Sequence, residues 1–153
     1  MGIEGLRSGG PFEDFYKAAA GHWEKTSKVT WKDGTTHELR SQAELVVYVG
    51  HDGLMDFQLE QTFSGETAEK RQAIVLACAS KAFFGPGLRP TGAQPLLWTT
   101  GLMAPEAYTL KAALDGWIAG ETAEQIRQLA AASYAKYQKI SLTAAQRLFA
   151  TGW

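Results

Sequence analysis

The sequence predicts an α/β fold, a three-layer sandwich in which helices flank a short, mostly parallel sheet. Three short apolar runs carry this prediction, at residues 45–49, 73–77 and 96–98. Strands buried on both faces have such near-continuous apolar sequences, because neither face meets water. Helical patterns alternate with the runs, as in β-α-β units. A chain of 153 residues, 45% hydrophobic and 20% charged, suits one globular core, so we expect a single domain over residues 1–153.

The first element predicted is an amphipathic helix that begins near Pro11. Residues 1–10 are rich in glycine, and we expect them to be loose. From Pro11 onwards, apolar residues recur at helical spacing and share one face. The residues of that face are Phe12, Phe15, Tyr16, Ala19, Ala20 and Trp23.

A β-hairpin is predicted over residues 28–39. Its β-prone arms enclose Asp33 and Gly34, a pair that tolerates the positive φ angles of a tight type I′ turn. We interpret this hairpin as a surface feature without a binding role. The segment after the first apolar run, residues 53–72, is long enough for the crossover that parallel strands require.

The remaining elements are a loop and three helices. Several helix breakers predict a loop over residues 85–92. The next apolar stripe predicts a helix that ends at Gly120. Thr122 and Gln125 resemble a capping box, which predicts the start of a second helix. A last short helix is predicted to reach Phe149.

Chemically active side chains follow the apolar runs. His51 follows the first run, Cys78 follows the second, and Thr99 and Thr100 follow the third. Ligands of parallel α/β sheets bind beyond the carboxyl ends of the strands. An imidazole and a thiol at this edge suit nucleophilic acyl transfer, with backbone N–H groups near Gly53 and Cys78 holding the oxyanion. The structural alternative is a buried packing cysteine and a histidine that caps a turn.

Composition argues against several classes of function. The net charge is -1 and the charges are interspersed, so we expect no nucleic-acid partner. No apolar run reaches the about 18–20 residues of a membrane helix, so we expect no membrane insertion. A single cysteine and three histidines without ligand spacing predict no metal site and no cofactor. The N-terminus lacks a secretory signal, which predicts a cytoplasmic protein as written, or an exported one if a signal was removed.

Two segments resemble a known family. ELVVYVGHDG (residues 44–53) and QAIVLACAS (residues 72–80) are similar to the caspase-like cysteine peptidases of the caspase–hemoglobinase fold. In that family one hydrophobic strand leads into His-Gly and another leads into Ala-Cys or a similar pair. The resemblance implies a catalytic dyad of His51 and Cys78. The stretch from Val46 to Trp117 is also similar to an uncharacterised group of bacterial caspase-like proteins.

The resemblance extends to the third run. AQPLLWTTGLMAPEA (residues 93–107) is similar to the strand and loop that help to shape the substrate pocket of the family. This similarity implies that Trp98, Thr99 and Thr100 lie near substrate. Asp52 separates His51 from the glycine at position 53, and we place Asp52 with that glycine at the oxyanion or substrate site.

The resemblance also implies a truncated caspase-like fold. The family has further strands before the histidine strand, where this chain has one helix and a hairpin. A truncated sheet exposes an edge strand, which favours a homo-oligomer or a missing N-terminal partner segment. The implied function is a cysteine peptidase that hydrolyses peptide or protein substrates. Two alternatives stay open: a catalytically silent, protein-binding caspase-like module, and another thiol-dependent acyl-transfer enzyme.

Overall fold

The protein is described by a computed structural model that covers residues 10–22, 26–39, 43–65 and 71–153. The helices are α1 (Gly10–Ala19), α2 (Ser80–Leu88), α3 (Ala107–Ile118), α4 (Ala123–Gln138) and α5 (Leu142–Leu148). The strands are β1 (Ser27–Thr30), β2 (Thr36–Leu39), β3 (Leu45–Val49), β4 (Gln72–Leu76), β5 (Gln94–Thr99) and β6 (Phe149–Ala150). Two 3₁₀ turns, Gly53–Met55 and Arg89–Thr91, follow β3 and α2.

The strands form a hairpin and a separate four-stranded sheet. β1 pairs antiparallel with β2, which confirms the predicted hairpin. The larger sheet has the order β3-β4-β5-β6. β3, β4 and β5 run parallel, and β6 is antiparallel to β5. The predicted α/β class with a short, mostly parallel sheet is therefore confirmed.

Helices cover the sheet on two sides. Along β4, Ala73 and Val75 pack in one apolar cluster with residues of α1 and α2. Ile74 and Leu76, which point to the opposite face, pack in a second cluster with residues of α3, α4 and α5. Because both faces of β4 are buried, its sequence has no polar alternation, as the apolar run predicted.

The predicted type I′ turn of the hairpin is wrong. Gly34 has a φ of +84°, but Asp33 is not among the residues with positive φ. Trp31 N–H donates to the carbonyl oxygen of Thr35, and Gly34 N–H donates to that of Trp31. These bonds define a three-residue loop with glycine in the left-handed position, the next commonest hairpin connection after the two-residue turns.

The predicted loop over residues 85–92 is also wrong in its first half, because α2 continues through it. Pro86 lies inside the helix although it lacks an N–H to donate. Packing overrides the local signal here: the Tyr16 hydroxyl donates to the carbonyl oxygen of Phe84, and a Cβ on Gly87 would lie 2.6 Å from Tyr16 Cζ. The glycine lets α2 approach this ring.

The helices at the C-terminus agree with the sequence, with one exception. The capping box of Thr122 and Gln125 is present, and Gly120 has the positive φ of a helix end. Phe149 was predicted to be helical, but it begins β6 and pairs with Thr99. Tertiary pairing, rather than local propensity, makes this strand.

Some predictions concern residues outside the described ranges. Residues 1–9, predicted to be loose, and Trp23 are among them. Gly10, the last residue of the predicted loose segment, is the first residue of α1. Within the described ranges, no helix is long and apolar enough to span a bilayer.

Candidate functional site

The register of the sheet brings His51 and Cys78 to one edge. Val49 of β3 pairs with Leu76 of β4, and each candidate residue lies two positions further along its strand. Gly50 N–H donates to the carbonyl oxygen of Leu76 over 3.1 Å, which extends the pairing by one residue. Both side chains therefore follow the carboxyl ends of neighbouring parallel strands, where ligands of such sheets bind.

The Cys78 thiol is half-buried and is held by the main chain of the loop after β5. Its Sγ lies 3.4 Å from the Met103 carbonyl oxygen, to which the thiol donates. The N–H of Met103 donates back to Sγ, also over 3.4 Å. The thiol is thus neither sealed in the apolar core nor free in solvent.

The His51 imidazole is exposed. Its Nε2 lies 3.8 Å from Asp56 Oδ2, and the two side chains are 79% and 78% exposed. An ion pair of this kind holds a side chain weakly. The His51 backbone is better fixed, because its carbonyl oxygen accepts a 2.8 Å hydrogen bond from the Tyr48 hydroxyl. Between these described residues, no hydrogen bond joins the imidazole to the Cys78 thiol.

The turn after Cys78 has a strained conformation. Ala79 has a φ of +47°, a left-handed conformation that costs a non-glycine residue about 1–2 kcal/mol. Its N–H donates to the carbonyl oxygen of Gly101 over 2.8 Å. α2 begins at the next residue, so the cysteine lies at the end of a strand in a tight strand–turn–helix connection. Strain of this kind often occurs at functional sites.

A buried pair of hydroxyls, Ser80 and Thr99, fixes this turn. Both residues are 0% exposed. Ser80 Oγ donates to the Val75 carbonyl oxygen and accepts from Thr99 N–H, over 2.9 Å in each case. The Thr99 hydroxyl donates to the Ala77 carbonyl oxygen and accepts from Ser80 N–H. The pair joins the ends of β4 and β5 to the start of α2. Sequence reasoning missed Ser80, because its hydroxyl does not cap α2 but bonds to the main chain of two strands, which no local pattern shows.

The main-chain amide of Cys78 has no acceptor among the described residues. Continued pairing of β3 and β4 would direct this N–H to the Gly50 carbonyl oxygen, but the bond is not formed. The following amides, of Ala79 and Ser80, are both occupied. The Cys78 amide is therefore an available donor beside the thiol, as oxyanion stabilisation requires.

Asp52 is fully buried beneath the turn that carries His51. Its Oδ1 accepts from Leu54 N–H over 3.0 Å, whereas Oδ2 has no partner in the described structure. Burial raises the pKa of the Asp52 carboxyl. Gly53 is packed as tightly, because a Cβ there would lie 3.1 Å from Phe12 Cζ and from Phe57 Cε1. Both residues shape the turn from inside and do not face solvent.

The residues assigned to a substrate pocket have other contacts. Trp98 is 1% exposed, and its ring packs against Trp153. Thr99 belongs to the buried hydroxyl pair. Thr100 is exposed, but its hydroxyl donates to the Arg147 carbonyl oxygen over 2.9 Å and so holds the end of α5. In this conformation all three side chains contact other parts of the protein. Trp98 and Thr99 are too deeply buried to contact a substrate.

A groove of about 410 Å³ lies between α2 and the loop after the first 3₁₀ turn. Aromatic rings of Tyr16, Phe57, Phe63 and Phe83 contribute to its walls. His51, Cys78 and Trp98 do not line it. Within the ranges that the structure describes, no group of three histidine, cysteine or acidic side chains is placed to hold a metal ion.

Comparison with known proteins finds no relative: no protein-family model, no curated protein and no solved structure matches this chain. The resemblance to caspase-like peptidases therefore stays a prediction. The chemistry of the sheet edge has to be inferred from Cys78, His51 and their neighbours.

Proposed function

We propose that the protein is a thiol-dependent acyl-transfer hydrolase, a cysteine peptidase with a caspase-like layout of the two catalytic residues. One observation carries the proposal. Cys78 lies on a strained strand–turn–helix connection at the same sheet edge as His51, and the amide beside its thiol has no acceptor among the described residues. A buried structural cysteine requires neither the strain nor the free amide.

The proposed reaction uses the thiol and the imidazole in turn. His51 accepts the Cys78 proton, and the thiolate attacks the carbonyl carbon of the substrate. The Cys78 amide stabilises the resulting oxyanion, a contact worth about 3 kcal/mol. The His51 imidazolium then protonates the leaving amine, which leaves a thioester on Cys78. Water hydrolyses the thioester, and the thiol is restored.

Two contacts have to change before this reaction begins. The Met103 main chain holds the thiol, and the His51 imidazole faces Asp56 rather than Cys78. Both contacts are weak: one is a pair of 3.4 Å sulfur hydrogen bonds, and the other is an exposed ion pair. We expect the loop to open and the imidazole to turn transiently in the free protein, and substrate to hold this arrangement, since catalytic hydrogen bonds are often long before substrate binds.

The same two contacts support a second candidate function, the catalytically silent module that binds a protein partner. In that case the thiol stays bound to Met103, and His51 remains a surface residue paired with Asp56. Labelling of the single cysteine distinguishes the two candidates, because it reports the state of the thiol without any knowledge of the substrate.

The test is the rate at which iodoacetamide alkylates Cys78 at pH 7, measured by intact mass. A free thiol is only a few per cent thiolate at this pH, so activation by His51 allows a gain of about 10-fold or more. We expect His51→Ala to lose this gain. His37→Ala, which removes an exposed histidine of the hairpin, is the control and should react like the wild type. Equal, slow labelling of all three proteins would reject the dyad and leave the binding module.

Substrate class is tested separately. We expect a mixture of unstructured peptides to acquire new N-termini in the presence of the protein, and Cys78→Ala to abolish this cleavage. Turnover of small thioesters or amides without peptide cleavage would instead support the other acyl-transfer enzyme.

A further inference from the structure

β3 is an edge strand of the described sheet, and its outward backbone groups have no partner among the residues that the structure describes. Gln72 N–H donates to the Glu44 carbonyl oxygen, and Gly50 N–H donates to that of Leu76. Even-numbered residues of β3 therefore bond to β4, and the N–H and C=O groups of residues 45, 47 and 49 point away from the sheet. Among the described residues nothing bonds to these groups. Backbone groups of this kind readily pair with another strand.

The side chains of this edge do not protect it. The strand LVVYV contains no charge, no proline and no bulge, which are the usual means of blocking an edge. Val47 and Val49 are 38% and 37% exposed. On the side of α1, a furrow of about 290 Å³ runs along the strand between Phe15, Ala18 and Tyr48, with Asp14 at its wall.

We infer that this edge pairs with the same edge of a second copy of the chain, antiparallel and about a two-fold axis. Antiparallel pairing about this axis sets Val47 against Val47 of the second copy and Leu45 against its Val49, so that only uncharged, apolar side chains of the strand meet across the two edges. The opposite edge of the sheet, β6, is only two residues long and is too short to receive β3 in a head-to-tail assembly. Pairing about a two-fold axis gives a closed dimer, so that no filament forms.

The alternation of the backbone groups predicts the register. Val47 faces Val47 of the second copy as a hydrogen-bonded pair, with a Cα–Cα distance of about 5.5 Å. Leu45 faces Val49 of the second copy, which joins the exposed valines into one apolar strip. About six main-chain hydrogen bonds follow from three such pairs. The two sheets become one continuous sheet.

The first test is sedimentation velocity of the full chain between 1 and 200 µM. We expect a concentration-dependent dimer that Val47→Lys weakens at least 10-fold, because two like charges then meet at the axis. Val29→Lys is the matched control, since Val29 is an exposed strand valine (41%) in the hairpin and should leave the dimer intact. A monomer throughout, or dissociation by Val29→Lys alone, would overturn the inference.

The second test does not depend on the affinity measurement. In a Cys78→Ser background, Val47→Cys places two thiols opposite each other in a hydrogen-bonded pair, with Cβ atoms about 5.5 Å apart, which is too far for an unstrained disulfide but within reach of a short bis-methanethiosulfonate cross-linker. Val49→Cys places them on opposite sides of the axis and too far apart. We expect the short cross-linker to give a covalent dimer with the first variant and not with the second. Cross-linking through position 49 alone, or through neither position, would overturn the proposed pairing.

Discussion

Removal of the Ser80 hydroxyl should destabilise the protein more than removal of any single exposed hydroxyl. Ser80 Oγ makes two 2.9 Å hydrogen bonds in a fully buried place. In Ser80→Ala, the Thr99 N–H loses its partner and the Val75 carbonyl oxygen loses one donor. A buried polar group left unpaired costs about 1–3 kcal/mol. We therefore expect the free energy of unfolding to fall by about 2–3 kcal/mol.

The measurement is urea unfolding followed by tryptophan fluorescence. With an m-value of about 2 kcal/mol/M, the midpoint should fall by about 1–1.5 M. Ser133→Ala is the control, because its hydroxyl makes one 3.1 Å bond to the Tyr108 carbonyl oxygen in a half-buried place. That variant should lose only about 0.5–1 kcal/mol. Similar midpoints for the two variants would show that the buried hydroxyl pair does not hold β4, β5 and α2 together.

Two other changes test the packing around the site. Because burial raises the pKa of Asp52, the folded chain binds a proton more tightly than the unfolded chain, so stability should fall as pH rises from the ordinary value of 3.8 through the raised one. Asp52→Asn should flatten the dependence of Tm on pH over this window. An unchanged dependence in this variant would contradict the raised pKa of Asp52. Gly87→Ala places a Cβ 2.6 Å from the fixed Tyr16 ring and should cost about 1–3 kcal/mol in urea unfolding. Gly10→Ala, with no atom near its Cβ, should change stability by at most about 0.5 kcal/mol.

Much of the fold could be predicted because β4 and β5 are buried on both faces and the edge strand β3 is also apolar throughout. The runs that became β3, β4 and β5 have an apolar pattern that the sequence displays directly. β6 and α2 could not be predicted in the same way. β6 has two residues and exists because Phe149 meets Thr99. α2 contains glycine and proline and is maintained by packing on Tyr16.

The candidate site was predictable in outline and not in detail. Strand ends in parallel register had to bring His51 and Cys78 to one edge, and the structure has them there. Sequence did not reveal that the thiol is held by the main chain of residue 103, or that Thr99 is buried with Ser80. Those contacts depend on how the loop after β5 folds back, which no local pattern encodes.

The Cys78 thiol is hydrogen-bonded to the main-chain N–H and C=O of residue 103 and not to the side chain of that residue. Any residue with a backbone N–H, and hence any except proline, can supply the same two contacts at that position. The thiol contacts themselves therefore do not require methionine, but the Met103 side chain is buried in the apolar cluster behind β4, so a replacement has to fill the same apolar space. A change in the length of the loop would break the thiol contacts, since one residue more or less between Thr99 and Met103 would move both groups away from the sulfur.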